Sequence, residues 1–234
     1  MLFDVIEATW PPSSTENCGG VTLRDGQGGG KRVSAATAPD DISESGLDHA
    51  IARMGTSMDL LFQIAGGQDR LDNLLAKRGF DVVDPVTIYL ATTQTVADDG
   101  PPPVSAFSTW PPLAMQHEVW EAAGVNASRR AVMDRVEGSK RALLARTGNT
   151  PSGAAFVAIH NHTAMVHALE VSSGYRRNSA GRNLMRRAAQ WAASEGATQI
   201  ATLTLKDNAP ANALFTSLGL QPVGQYHYRL KHTE

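Results

Sequence analysis

Two periodicities run through the chain: short stretches in which apolar and polar residues alternate, and longer ones in which apolar residues recur every three to four positions. These are the signatures of half-buried strands and of amphipathic helices. Residues 164–171, AMVHALEV, read as a strand; after a small polar loop, Leu184, Ala188, Trp191 and Ala192 mark one face of a helix. Residues 200–205 predict a further strand, 208–218 a short helix and 223–230 a last strand. Upstream, 113–124 (Leu113, Val119, Trp120) and 127–137 (Val132, Val136) predict two helices, and 41–54 another, opened by the acidic caps of APDD. Residues 21–24 and 31–37 predict strands joined by a bend at Gly28-Gly29-Gly30, a triplet with no following Lys-Ser/Thr pair to make it a phosphate loop.

The pattern is written twice. ATWPP at 8–12 returns as STWPP at 108–112, and Leu74-Leu75, Gly79-Phe80 and Val83 return as Leu214-Phe215, Gly219-Leu220 and Val223. The tryptophans are 100 residues apart and the glycines 140, so the second copy is longer by 40, with the helices at 113–137 as the natural home of the excess. The polar, proline-rich stretch 97–103, ADDGPPP, reads as a linker. Expected domains are therefore 1–96 and 104–234, each mixing strands and helices.

Composition narrows the chemistry. With 42% hydrophobic residues in 234, a substantial core is expected, and a net charge of −2 offers no general attraction to nucleic acid or acidic membrane. Cys18 is the only cysteine, which excludes an intrachain disulfide and a cysteine-based metal site. His160-Asn161-His162 sits at a hairpin without nearby acidic ligands, so no metal is expected. The first residues, MLFDVIEATW, hold Asp4 and Glu7 and no long apolar run; they read as neither signal peptide nor anchor, and the expected location is cytoplasmic.

The chemistry concentrates at 171–195. A strand ends there, and Arg176, Arg177, Asn178, Ser179, Ala180 and Gly181 form a small basic loop opening a helix, where unpaired N–H groups and the macrodipole suit an anion. The spacing of Val171, Ser173, Arg176, Ser179 and Gly181 resembles the V-x-P-x-x-[QR]-x-x-G-x-[GA] signature of the GNAT-type N-acetyltransferases, with serines in place of the proline and the first glycine. NAPANALFTSLGL from Asn208 resembles the family's N-x-x-A-x-x-L-[YF] and the glycine after it. The resemblance covers about Val104 onward. It implies two tandem acyl-CoA N-acyltransferase folds, mixed α/β units that are each a twisted, largely antiparallel sheet flanked by helices, the first degenerate: nothing in the first copy matches the basic loop, and Asp40 and Asp41 would repel a pyrophosphate. It further implies acetyl-CoA as cosubstrate, direct transfer of the acetyl group to a primary amine in a ternary complex, and coenzyme contacts from Leu169, Val171, Arg176, Arg177, Asn178, Ser179, Ala180, Gly181, Arg182 and Asn208. The alternative is a coenzyme A-binding protein without catalysis. No nucleic-acid or membrane partner is expected; the small-molecule or peptide amine and the oligomeric state are not legible.

An amine acceptor needs a base. Alternation puts Met165, His167, Leu169 and Val171 on one face of the strand and Val166, Ala168 and Glu170 on the other. The arylalkylamine branch of the family carries a histidine used in proton removal in a similar H-A-L-x-V segment. His167 reads either as that base, or head of a water relay, or as a histidine hydrogen-bonded within the sheet; Glu170 is the runner-up. Phe215 stands where many family members have a proton-donating tyrosine, and Tyr226 or Tyr228 on the last strand are the expected substitutes.

Overall fold

The computed structural model describes residues 2–55 and 59–233; Met1 and Glu234, the outer ends of the two expected domains, lie outside them. In chain order the elements are α1 (Leu2–Thr9), β1 (Ser14–Cys18), β2 (Val21–Asp25), α2 (Lys31–Ser34), α3 (Glu44–Met54), β3 (Leu60–Ala65), α4 (Asp69–Lys77), β4 (Asp81–Thr92), α5 (Thr93–Ala97), β5 (Ala106–Thr109), α6 (Ala114–Ala122), α7 (Ala127–Arg135), β6 (Lys140–Thr147), β7 (Thr150–His160), β8 (Thr163–Val171), α8 (Ala180–Ser194), β9 (Gln199–Leu205), α9 (Ala209–Ser217) and β10 (Gln221–Lys231). Local chemistry sets several boundaries. Ser43, Thr92, Asn126 and Asn208 each accept a hydrogen bond from a backbone N–H of the turn they open, capping α3, α5, α7 and α9. Gly79 and Gly219, at φ 79° and 83°, end α4 and α9 in the left-handed conformation that side chains resist.

The chain divides into two compact units, though not the two successive segments expected. The larger comprises Met1–Pro11, Ile88–Thr204 and Asn208–Val223; the smaller comprises Pro12–Thr87, Leu205–Asp207 and Gly224–Glu234. No boundary falls at 97–103. Thr93 Oγ1 donates to the Ala197 carbonyl at 3.1 Å, Ala97 is buried, and Arg186 of α8 pairs with Asp98 and reaches the Gly100 carbonyl. The expected linker is thus fastened to the larger unit's main helix.

In the larger unit the strand order is β4-β9-β8-β7-β6-β5. Neighbours from β5 to β8 are antiparallel and β8 runs parallel to β9. Leu143, Val157, Val166, Leu184, Ala188, Ile200 and Phe215 form its core beneath α8 and α9. The smaller unit holds the β1–β2 hairpin and the order β3-β10-β4, over a core of Val21, Leu47, Phe62, Ile64, Leu71 and Leu75. A reciprocal exchange appears in this order. β3 has as its neighbour β10, the last strand of the second copy, and β9 has β4, the last strand of the first.

The repeat therefore holds where the offset is 140, matching α4 and β4 with α9 and β10. It fails at the tryptophans: Trp10 follows a helix and Trp110 a strand, although both rings flank Phe156, at 6.1 and 5.8 Å. The strand expected at 31–37 is also absent. Lys31–Ser34 make one helical turn that tucks Val33 against Gly26, where a Cβ would lie 2.8 Å from Val33 Cγ2, and only Ala36 and Thr37 form isolated bridges.

Candidate active site

β8 is the strand that matters, and its alternation is broken. His167 pairs with Phe156 on β7 but Glu170 pairs with Ala154, so β8 carries one residue more than its partner across this interval. The extra residue centres on Ala168, at φ 46°, whose carbonyl accepts from Trp120 Nε1 of α6 at 2.9 Å. A bulge of this kind shifts the parity of every later side chain. Ala164 and Val166 face the core under α8; so do Leu169 and Val171, an odd number of residues further on. The expectation that His167 shares a face with Val171 is thereby overturned: Phe156 and Ala154 lie two apart on β7, so the residues opposite them, His167 and Glu170, look to the same side.

His167 is 3% exposed. Thr9 Oγ1 donates its single proton to the Val5 carbonyl at 2.6 Å and lies 2.9 Å from His167 Nε2, so His167 donates from Nε2 to the threonine. Trp10 packs on the imidazole, with ring centroids 4.9 Å apart. This hydrogen bond reaches α1, whereas the structural reading of the histidine placed its bond within the sheet. Glu170 is half-buried, and burial raises its pKa above the ordinary carboxylate value, against the opposing pull of Arg129 on α7 and Arg176 in the loop.

The bulge also marks where β8 leaves its neighbour. Parallel pairing with β9 runs from Thr163↔Gln199 to Val166↔Thr202 and stops, although β8 continues to Val171 and β9 to Leu205. Past the opening the chain makes a 3-10 turn at Ser173–Tyr175, and Arg176, Arg177, Asn178 and Ser179 are exposed before Ala180 enters α8. Ser179, the helix N-cap, sits at φ 60° and ψ 5°, and its side chain makes no capping bond. The serine thus occupies the left-handed conformation that favours the glycine of the signature. Gly181 is needed for a different reason: a Cβ there would lie 3.0 Å from Leu214 Cδ2 of α9, with Val171 and Leu169 beyond. An uncapped 15-residue helix start, a glycine cradle and strands that part beside it fit a pyrophosphate and its extended tail.

The arginines divide by role. Arg176 and Arg177 are exposed in the loop; Arg182 donates to Ser217 Oγ of α9 at 2.9 Å; Arg186 and Arg187 hold residues 98–106, the latter through the Ala106 carbonyl at 3.1 Å. Asn208 caps α9 through its Oδ1, 3.3 Å from the Ala211 amide. Phe215 is buried against Tyr89, ring centroids 5.5 Å apart. Tyr226 is buried in the smaller unit, edge-on to Tyr228 at 5.5 Å. Among the described residues no group of histidine, cysteine and carboxylate side chains could hold a metal ion. Trp120, Arg129 and Thr9 escaped sequence reasoning, since each acts through a strand far away in the chain.

Comparison with known proteins agrees with this geometry. Residues 105–220 match the model of the Acetyltransferase (GNAT) family. YobR of Bacillus subtilis (strain 168), an uncharacterized N-acetyltransferase, is 20% identical over 96% of this chain and 95% of its own. A GCN5-related N-acetyltransferase from Kribbella flavida superposes with a TM-score of 0.72 at 18% identity, covering 94% of this chain and 90% of its own. A tandem GNAT protein from the clavulanic acid biosynthesis pathway gives 0.63 at 16% identity, over 99% and 87%. The chain thus carries a GNAT-family domain at 105–220 and is an N-acetyltransferase.

Proposed function

We propose that the larger unit transfers an acetyl group from acetyl-CoA directly to a primary amine within a ternary complex, with Glu170 as the base. The observation that carries this reading is the bulge at Ala168, which turns Glu170 toward the α6–α7 side at the level where β8 and β9 part. A lysine-like amine with a pKa of about 10.4 is neutral in only about one molecule in a thousand at pH 7.4, so a nearby carboxylate of raised pKa is suited to take its proton. The coenzyme supplies an activated thioester. Arg176, Arg177, Asn178, Ser179, Ala180, Gly181 and Arg182 would hold its phosphates, and Leu169 and Val171, with Asn208, its tail. His167 is assigned to packing. Phe215 has no proton to give, so the departing thiolate would take its proton from Tyr226 or from water.

No helix among the described residues is long and apolar enough to cross a membrane. The proposed location is cytoplasmic and the proposed partner a small or peptide amine. Calorimetric titration of acetyl-CoA into the wild type and into Gly181→Glu, with melting curves to verify folding, tests the reading. One-to-one binding lost in the variant is expected. Binding to wild type without turnover of any amine would favour a coenzyme-binding protein instead, and no binding at all would overturn the site.

A further inference from the structure

The exchange of last strands uses different chemistry in the two copies. Residue n of the first copy corresponds to n + 140 in the second, so Asp72 on α4 corresponds to Asn212 on α9, and Tyr89 on β4 to Arg229 on β10. In the smaller unit Arg229 donates from Nε to Asp72 Oδ1 at 2.7 Å and from Nη2 to Oδ2 at 3.0 Å, while its Nη1 reaches the Phe80 carbonyl at 2.8 Å. His227 Nε2, on the same strand, is 2.8 Å from Asp72 Oδ1. In the larger unit the corresponding positions also meet, without charge: Tyr89 Oη donates to Asn212 Oδ1 at 2.9 Å. One helix position thus greets the incoming strand twice, once by a bidentate ion pair and once by a neutral hydrogen bond.

We propose that these two pairs are matching elements that direct each terminal strand to the other copy. Were each copy to keep its own last strand, Tyr89 would face Asp72 and Arg229 would face Asn212. The Asp72 side chain is 26% exposed and that of Arg229 12%, so the ions would lose their partners in places water reaches only in part. Breaking a buried pair by removing one partner is costly, whereas two neutral groups tolerate exchange; a mismatch of this kind is how specificity is written against a competing arrangement. Asp72 already records the match. The Arg229 bonds, followed by those of His227, hold its carboxyl below the usual range against the opposing effect of burial. The pairs bear on how the chain folds and are independent of the transfer chemistry.

A disulfide reporter tests the proposal. Leu60 and Lys231 are paired residues of β3 and β10, so Leu60→Cys with Lys231→Cys, in a Cys18→Ser background, forms a bridge only when β10 has entered the smaller unit. The protein is unfolded in denaturant, refolded, oxidised and scored for cross-linked chain. Relocating the carboxylate with Asp72→Asn and Asn212→Asp is expected to lower the yield at least fivefold. Erasing the charge with Arg229→Tyr and Asp72→Asn gives both copies the tyrosine–asparagine pair the fold already contains; about half the parent yield is expected. Parent-like cross-linking in both variants overturns the proposal. If the relocated variant does not regain its circular dichroism, parent-like cross-linking of the erased variant alone overturns it.

Discussion

Ser179 occupies a backbone conformation suited to another residue, and the consequence is measurable. At φ 60° and ψ 5° an L-residue with a Cβ gives up about 1–2 kcal/mol relative to its right-handed alternative. Glycine relieves that strain but adds about 0.5–1 kcal/mol of unfolded-chain entropy. Substitution at an N-cap normally costs a further few tenths for the lost cap; here Ser179 makes no capping bond, so nothing is lost. The net expectation for Ser179→Gly is a gain of about 0.5–1 kcal/mol, or a melting temperature higher by roughly 1–4 °C for a chain of this size. Ser179→Val, β-branched, is expected to move the melting temperature the other way by a similar or larger amount. Differential scanning calorimetry of the three proteins, with and without acetyl-CoA, checks both. A lower melting temperature for Ser179→Gly would refute the reasoning, because it would mean that the hydroxyl holds something the backbone geometry does not account for.

Two further outcomes follow from other sites. Glu170→Gln is expected to lower the acetylation rate by about 10²–10⁴-fold; because burial raises the Glu170 pKa, the carboxyl's contribution to stability is full below its unfolded value and lost as pH rises through the folded one, so at neutral pH the glutamine protein should melt at the same temperature or higher. Thiol-release assays across pH, with melting curves, would sink this reading if the rate were unchanged or if the protein unfolded. Lys140→Met removes an ammonium that closes the C-terminal end of α7, donating to the carbonyls of Met133, Asp134 and Val136 at 3.1, 2.8 and 2.6 Å and lying 4.6 Å from the Trp110 ring centroid. A loss of about 1.5–3 kcal/mol is expected from charge-assisted bonds, roughly 3–12 °C in melting temperature; a change under one degree would show that α7 needs no such closure.

Much of the fold was legible because its signals are local. The order from β8 to β10, the cap at Asn208 and the turn glycines at 79 and 219 are written in periodicity and punctuation, whereas the cap of α3, expected from the acidic residues of APDD, is Ser43. Local signals are silent on partners. β3 and β10 are far apart in sequence, and nothing in either announces that they pair, so the exchange of strands and the division into units were missed. The bulge was missed for another reason. Thr163 to His167 are buried on both faces, and a strand without a polar side gives no alternation against which an extra residue stands out. The loop was read correctly as a helix start, yet the φ of Ser179 is a property of the closed turn rather than of its letters. The surroundings of His167 were not legible because its neighbours in space, Thr9 and Trp10, lie at the opposite end of the chain.

The bulge at Ala168 means that the chemistry of β8 is stored in a count rather than in any one side chain. Delete a single residue from that interval and every letter after it survives, yet Glu170 would turn toward the core beneath α8, and Leu169 and Val171 toward α6 and α7. A substitution in this strand removes one group; an indel there reassigns them all. Relatives that share the letters on either side of this interval can therefore differ in chemistry by spacing alone, and a comparison that scores identity without tracking the bulge would call them the same.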